Sequence, residues 1–367
     1  MTFLTELEKY QSTDWNAFWQ GISAARVQTA LGKSFLNPED YAALLSPAAV
    51  PFLEAMAQKA HALSLQHFGK TVLLYSPMYL SNFCTNTCTY CGFNAANKIP
   101  RKQLTLAEVE TEAAAIAQTG IRHILILTGD APGKADVAYL LGCLQVLKKH
   151  FLSIAIEIYA ADQADYARLI AGGVDQLTLY QETYNPRIYD QVHLKGPKKD
   201  FAYRLAAPER AALAGIRAVN LGALLGLDVW RREAFFTGLH ADFLQARFPA
   251  LEVSLSAPRM RPHAGTFADI QPVSDTDIVQ YLLAARLFMP RLGLTLSTRE
   301  NADFRDRLLP LGITRLSAGS STAVGGHTQP ENNIGQFEIA DPRNVPEMQA
   351  AVRAAGYQPI FTDWHAI

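Results

Sequence analysis

Three of the four cysteines in this 367-residue chain fall within eight positions, as Cys84-x-x-x-Cys88-x-x-Cys91 in the segment SNFCTNTCTYCGFN. Thiolates are soft ligands that select zinc or iron–sulfur clusters. Three of them on a short irregular stretch can converge on one centre. The fourth, Cys143, sits in the middle of an amphipathic helical pattern and reads as a buried small hydrophobe. No fourth protein ligand is evident, whereas structural zinc sites are usually closed and four-coordinate. Two chemistries follow. One is a four-iron four-sulfur (4Fe-4S) cluster whose open iron binds a small molecule through an amine and a carboxylate. The other is a Cys3His zinc site.

The elements that must position this motif are legible as a repeating pattern. Eight short apolar runs span Thr71–Tyr79, His123–Thr128, Ser153–Tyr159, Gln176–Tyr180, Ala218–Leu224, Glu252–Ser256, Gly293–Ser297 and Thr314–Ala318. Most lack strict alternation, as expected of parallel strands covered on both faces. Helical stretches fill the intervals. Thr105-Leu-Ala-Glu108 is a capping box, and Ser274-Asp-Thr-Asp277 opens another helix. Eight strands alternating with helices predict a (β/α)8 TIM-type barrel, with a doubly wound open sheet as the alternative. The expected organisation is a helical N-terminal extension over residues 1–70, a barrel over 71–324 and a short C-terminal extension over 325–367 that packs on the barrel. In a barrel the cysteine loop follows the first strand, at the end where chemistry sits.

Composition narrows the function classes. Lys+Arg total 33 against Asp+Glu 34, which excludes the basic footprint of a nucleic-acid binder. No apolar run reaches the ~18 residues that a membrane helix needs. The N-terminus lacks the basic-then-apolar build of a signal peptide, so the expected location is cytoplasmic.

The strand ends carry further candidates. Glu157 lies inside the third apolar run, where an acid is costly unless a partner satisfies it. A ribose diol or a buried arginine would each serve. Arg299, in Ser297-Thr-Arg-Glu300 at the end of the seventh run, has a planar fork suited to a substrate carboxylate. Ser317 at the end of the eighth can assist with its hydroxyl. An ion pair of Arg299 with Glu300 or Asp303 is the competing reading.

The cysteine spacing, with Tyr90 before the last cysteine, resembles the radical S-adenosylmethionine (SAM) enzymes. Thr128-Gly129-Asp130 resembles the segment of that superfamily whose backbone receives the SAM amino group. Here Asp130-Ala131 replaces its usual Glu-Pro pair, so only the backbone contacts carry over. The stretch around Tyr180-Gln181-Glu182-Thr183 and Arg204 is similar to biotin synthase and its relatives. That similarity implies an acid on the ribose at Glu182 and an arginine on the methionine carboxylate at Arg204.

The longer segments YLSNFCTNTCTYCGF, LTLYQETYNPRIYDQVHLKGPKKDFAYRL, LGALLGL, PRMRP and LSTRE together resemble the 2-iminoacetate synthases. These are the tyrosine lyases of thiamine thiazole biosynthesis. The match runs from about Leu45 to Asp363-Trp364. It implies cleavage of the Cα–Cβ bond of L-tyrosine, through a 5′-deoxyadenosyl radical, to 2-iminoacetate (dehydroglycine) and 4-cresol. It also implies a reductant such as flavodoxin or ferredoxin, and thiazole synthase as the partner that takes the unstable imine. Tyr90 is assigned a binding role, and Arg299 with Ser317 the substrate anchor. A related tyrosine lyase matures the iron–iron hydrogenase and carries a second cysteine cluster near its C-terminus. No cysteine follows Cys143 here, which fits the enzyme that stops at dehydroglycine.

Overall fold

The computed structural model describes residues 2–263, 267–329, 335–362 and 364. Asp363 of the Asp363-Trp364 pair lies outside them. Eight parallel strands close into a ring: β1 Thr71–Ser81, β2 His123–Thr128, β3 Ser153–Glu157, β4 Gln176–Glu182, β5 Ala218–Ala223, β6 Glu252–Ser256, β7 Gly293–Leu296 and β8 Arg315–Ser317. They pair in chain order, and β1 closes the ring by pairing with both β2 and β8. The open-sheet alternative is thereby excluded. A short β9, Gln358–Ile360, adds parallel to the start of β1.

The strands are covered on both faces, as β2 shows. In β2, Ile124 and Ile126 are fully buried under the helices while Leu125 and Leu127 face the barrel interior. The helix Leu106–Gln118 starts at the predicted capping box, with Thr105 and Glu108 each bonding the other's backbone. The helix Asp275–Phe288 does the same with Ser274 and Asp277. The helix Val345–Ala354 follows β8 and buries Val345, Met348 and Val352 in the common core.

The N-terminal helices clamp the outside of the barrel. Tyr41, in the helix Pro38–Leu45, is fully buried, donates to the Ala234 carbonyl at 2.9 Å and stacks on Phe288. Gln280 returns the contact by donating to the Leu44 and Ser46 carbonyls. Beneath β8, Arg305 and Asp341 form a fully buried ion pair, and Arg343 adds a second hydrogen bond to Asp341 at 2.7 Å. Breaking such a pair from one side leaves an uncompensated buried charge, at a cost of about 3–5 kcal/mol. Among the described residues, no helix is long and apolar enough to cross a membrane.

Candidate active site

The cysteine loop leaves β1 at Ser81 and is pinned on two sides. On one side it meets the end of β2. Thr85 donates both its N–H and its hydroxyl to the Asp130 carbonyl, and Asn86 donates to the Asp130 carboxylate at 2.8 Å. Gly129 packs so tightly on the loop that an added Cβ would stand 2.3 Å from the Phe83 carbonyl oxygen. On the other side the loop forms a short antiparallel ladder with residues 192–195. Thr87 and Thr89 donate to the Lys195 and Val192 carbonyls, and Cys88 bridges His193. Gly196, at φ +101°, brings its Cα against the Asn86 side chain, where a Cβ would approach to 2.2 Å.

The three thiols face one another's charge. Burial, followed by Asp130, pushes the Cys84 thiol up to about 11, and burial raises Cys88 and Cys91 as well. Metal binding must therefore supply the energy that deprotonates them. Among the described residues, no three Cys, His, Asp or Glu side chains meet at the distance of a single metal ion. Cys143 is fully buried in the helix Val137–Leu147, within the apolar core. It lies outside the site, as predicted.

Inside the barrel mouth is a cavity with Cys91 and Tyr90 in one wall. Glu157, Glu182, Arg299 and Ser317 also line it. Glu157 has no ion pair or hydrogen bond among the described residues, which removes the buried-arginine alternative. Burial, then the neighbouring charge of Glu182, raises its carboxyl to about 7.

Glu182 behaves in the opposite way. It ends β4 at a bulge, with φ +72°, where it is the one non-glycine residue at positive φ among those described. Strain of this kind costs about 1–3 kcal/mol and persists only where the surroundings enforce it. Here Lys198 pairs with its carboxylate at 2.6 Å, Arg204 lies 3.6 Å away, and Leu224 donates to its carbonyl. Although burial opposes ionisation, these two cations hold the Glu182 carboxyl below its ordinary value.

Arg299 stacks on the Phe337 ring at 3.5 Å and has no carboxylate partner among the described residues. Glu300 is taken by Arg259, and Asp303 by Arg307. The competing ion-pair reading therefore fails. Ser317 accepts from the Thr298 N–H at 3.0 Å, which leaves its own proton to donate.

The remaining predicted residues sit behind the wall. Gly129 and Asp130 hold the cysteine loop rather than face the cavity, and the Asp130 carbonyl is already occupied by Thr85. Arg204 is buried, donating to the Tyr180 carbonyl at 2.9 Å. The cation exposed to the cavity in that region is Lys198, which sequence reasoning missed. Its signal in the sequence is the lysine-rich segment LKGPKKDF. Gln336 and Phe337 were also missed. Gln336 accepts from Tyr79 and donates to the Cys91 sulfur at 3.7 Å, closing the cavity from the C-terminal segment.

Residues 78–236 match the radical SAM superfamily, and residues 256–358 match the biotin and thiamin synthesis associated domain. The chain is 40% identical to 2-iminoacetate synthase of Escherichia coli (strain K12), over 97% of this chain and 96% of that protein. It belongs to the 2-iminoacetate synthase family. The enzyme of that name from Salmonella typhimurium is 39% identical, over 98% of this chain and 97% of that protein. Among solved structures, the FeFe-hydrogenase maturase HydG from Carboxydothermus hydrogenoformans superposes with a TM-score of 0.84 at 29% identity. That match covers 98% of this chain and 82% of the other. Methylornithine synthase, at 21% identity and a TM-score of 0.72, shares the fold.

Proposed function

We propose that this chain cleaves the Cα–Cβ bond of L-tyrosine to 2-iminoacetate and 4-cresol, for thiazole formation in thiamine biosynthesis. The observation that carries the reading is one cavity joining the three-cysteine loop to Arg299, which has no carboxylate partner among the described residues. When bound, a 4Fe-4S cluster on Cys84, Cys88 and Cys91 with SAM at its open iron supplies a hydrogen-abstracting 5′-deoxyadenosyl radical.

The chain's own groups then divide the work. Glu157 and Glu182 line the cavity as acceptors for a ribose diol. Gly129 and Asp130 fix the loop that presents the cluster, and Arg204 holds Glu182 in place. Lys198, which lines the same cavity as Cys91, is the cation available to the carboxylate of SAM. Arg299 grips the tyrosine carboxylate through its fork, with the Ser317 hydroxyl beside it, and this anchor turns the substrate amine toward the cysteine wall. Tyr90 bounds the cavity next to Cys91, while Gln336 and Phe337 keep water out.

A small acidic electron carrier such as flavodoxin or ferredoxin would supply the reducing electron, and thiazole synthase would take the imine. Support for these partners is the family membership and the imine's instability in water. The reading predicts 4-cresol from tyrosine and no indole product from tryptophan after anaerobic loading with iron and sulfide. An indole product with no cresol would refute the substrate assignment.

A further inference from the structure

A 5′-deoxyadenosyl radical in this cavity has a second target besides the substrate. Tyr90 is a phenol in the wall of the cavity, adjacent to a cluster ligand. A phenolic O–H bond is weaker than the C–H bond formed at the 5′ carbon. A hydrogen-abstracting radical in this cavity would therefore attack an exposed Tyr90 hydroxyl as readily as the substrate.

That hydroxyl is not offered to the cavity. Tyr90 Oη lies 2.6 Å from His193 Nε2, and the two rings meet edge to face. The other nitrogen, Nδ1, lies 2.8 Å from the Tyr189 carbonyl oxygen. A carbonyl only accepts, so Nδ1 carries the ring proton. Nε2 then presents its lone pair, and Tyr90 donates to it. The imidazole is fully buried and packs against Tyr189 with ring centroids 3.9 Å apart and the planes tilted by 42°. Its backbone bridges Cys88 in the ladder that carries the cysteine loop. One residue thus fixes the loop and holds the Tyr90 hydroxyl proton away from the reacting space.

We propose that His193 is a positioning residue that shields Tyr90: by accepting the Tyr90 hydroxyl proton's hydrogen bond, it keeps hydrogen abstraction on the substrate. This rests on the radical reading above. No bond forms or breaks at His193. The step it suppresses is transfer of the Tyr90 hydroxyl hydrogen to the 5′ carbon, which yields 5′-deoxyadenosine and a Tyr90 phenoxyl radical without product.

Two variants separate the roles of the imidazole. His193→Asn keeps an amide N–H for the Tyr189 carbonyl but falls short of the Tyr90 hydroxyl. His193→Gln reaches the hydroxyl with an acceptor oxygen. In the cluster-free protein, ultraviolet resonance Raman difference spectra against Tyr90→Phe report whether the hydroxyl donates a hydrogen bond. The bond is expected in the parent and in H193Q, and absent in H193N. In the loaded protein, the ratio of 5′-deoxyadenosine to 4-cresol is expected to rise about tenfold in H193N, the factor set by losing one hydrogen bond. H193Q should keep the parent ratio, and H193N should produce a phenoxyl signal by electron paramagnetic resonance.

The rise should vanish when H193N is combined with Tyr90→Phe. A parent-like ratio in H193N with the Raman bond lost would overturn the proposal, as would an equal rise in the Tyr90→Phe background. If the parent itself forms no 5′-deoxyadenosine, the radical reading fails instead, and the Raman result still decides the hydrogen bond.

Discussion

Glu157 gives a prediction that needs no cofactor. It is a carboxyl in the cavity wall with no internal partner, raised from an ordinary 4.5 to about 7. An acid whose pKa is raised by folding binds its proton more tightly in the folded chain. Folding stability therefore falls as pH climbs from 4.5 to about 7 and is flat with respect to this group above that. The gap of about 2.5 pKa units, at about 1.36 kcal/mol each, corresponds to about 3.4 kcal/mol once the group is fully ionised. Glu157→Gln removes the ionisation while keeping the shape.

The cluster-free variant should match the parent in urea denaturation near pH 4.5 and exceed it by about 3 kcal/mol at pH 8. Taking the difference between the two proteins cancels the other buried acids, such as Glu233, which burial raises to about 8. A pH-independent difference would refute the reasoning, because it would mean that Glu157 already has a charge partner in the folded chain. The physical content is that the fold tolerates an unsatisfied acid here for the sake of a ligand.

Three further outcomes follow from the site. Arg299→Ala should lower kcat/KM for tyrosine about 10- to 150-fold, from the 1.5–3 kcal/mol of a charged hydrogen bond, with cluster content retained; steady-state 4-cresol assays check this. Gly129→Ala should drive a methyl into the Phe83 carbonyl, destabilise the chain by about 1–3 kcal/mol and reduce reconstituted iron, read by urea denaturation and iron analysis. Cys143→Ser should leave iron per chain unchanged, whereas alanine at Cys84, Cys88 or Cys91 should lower it, read by the same analysis.

The barrel was legible because its strands are buried on both faces. His123–Thr128 and Glu252–Ser256 have no residue outside the apolar-run expectation. β4 runs further than its apolar run, to Glu182, because a bulge and two cations stabilise a conformation that no local propensity favours. The cysteine loop, Glu157 and Arg299 were readable from residue type at strand ends. Lys198 was not, since it reaches the cavity through the turn Pro197–Lys199, whose placement depends on Asn86 far away in sequence. Gln336 and Phe337 come from the segment after the barrel's last strand, and only tertiary closure places them on Cys91 and Arg299. The helices Phe3–Glu8 and Trp15–Gln20 are six residues each, too short to define a periodicity.

The most direct test of the central claim is anaerobic incubation of the iron- and sulfide-loaded chain with SAM, reductant and tyrosine. The account predicts 5′-deoxyadenosine and 4-cresol in matched amounts. One zinc per chain, with no iron, no labile sulfide and no 5′-deoxyadenosine, would contradict it.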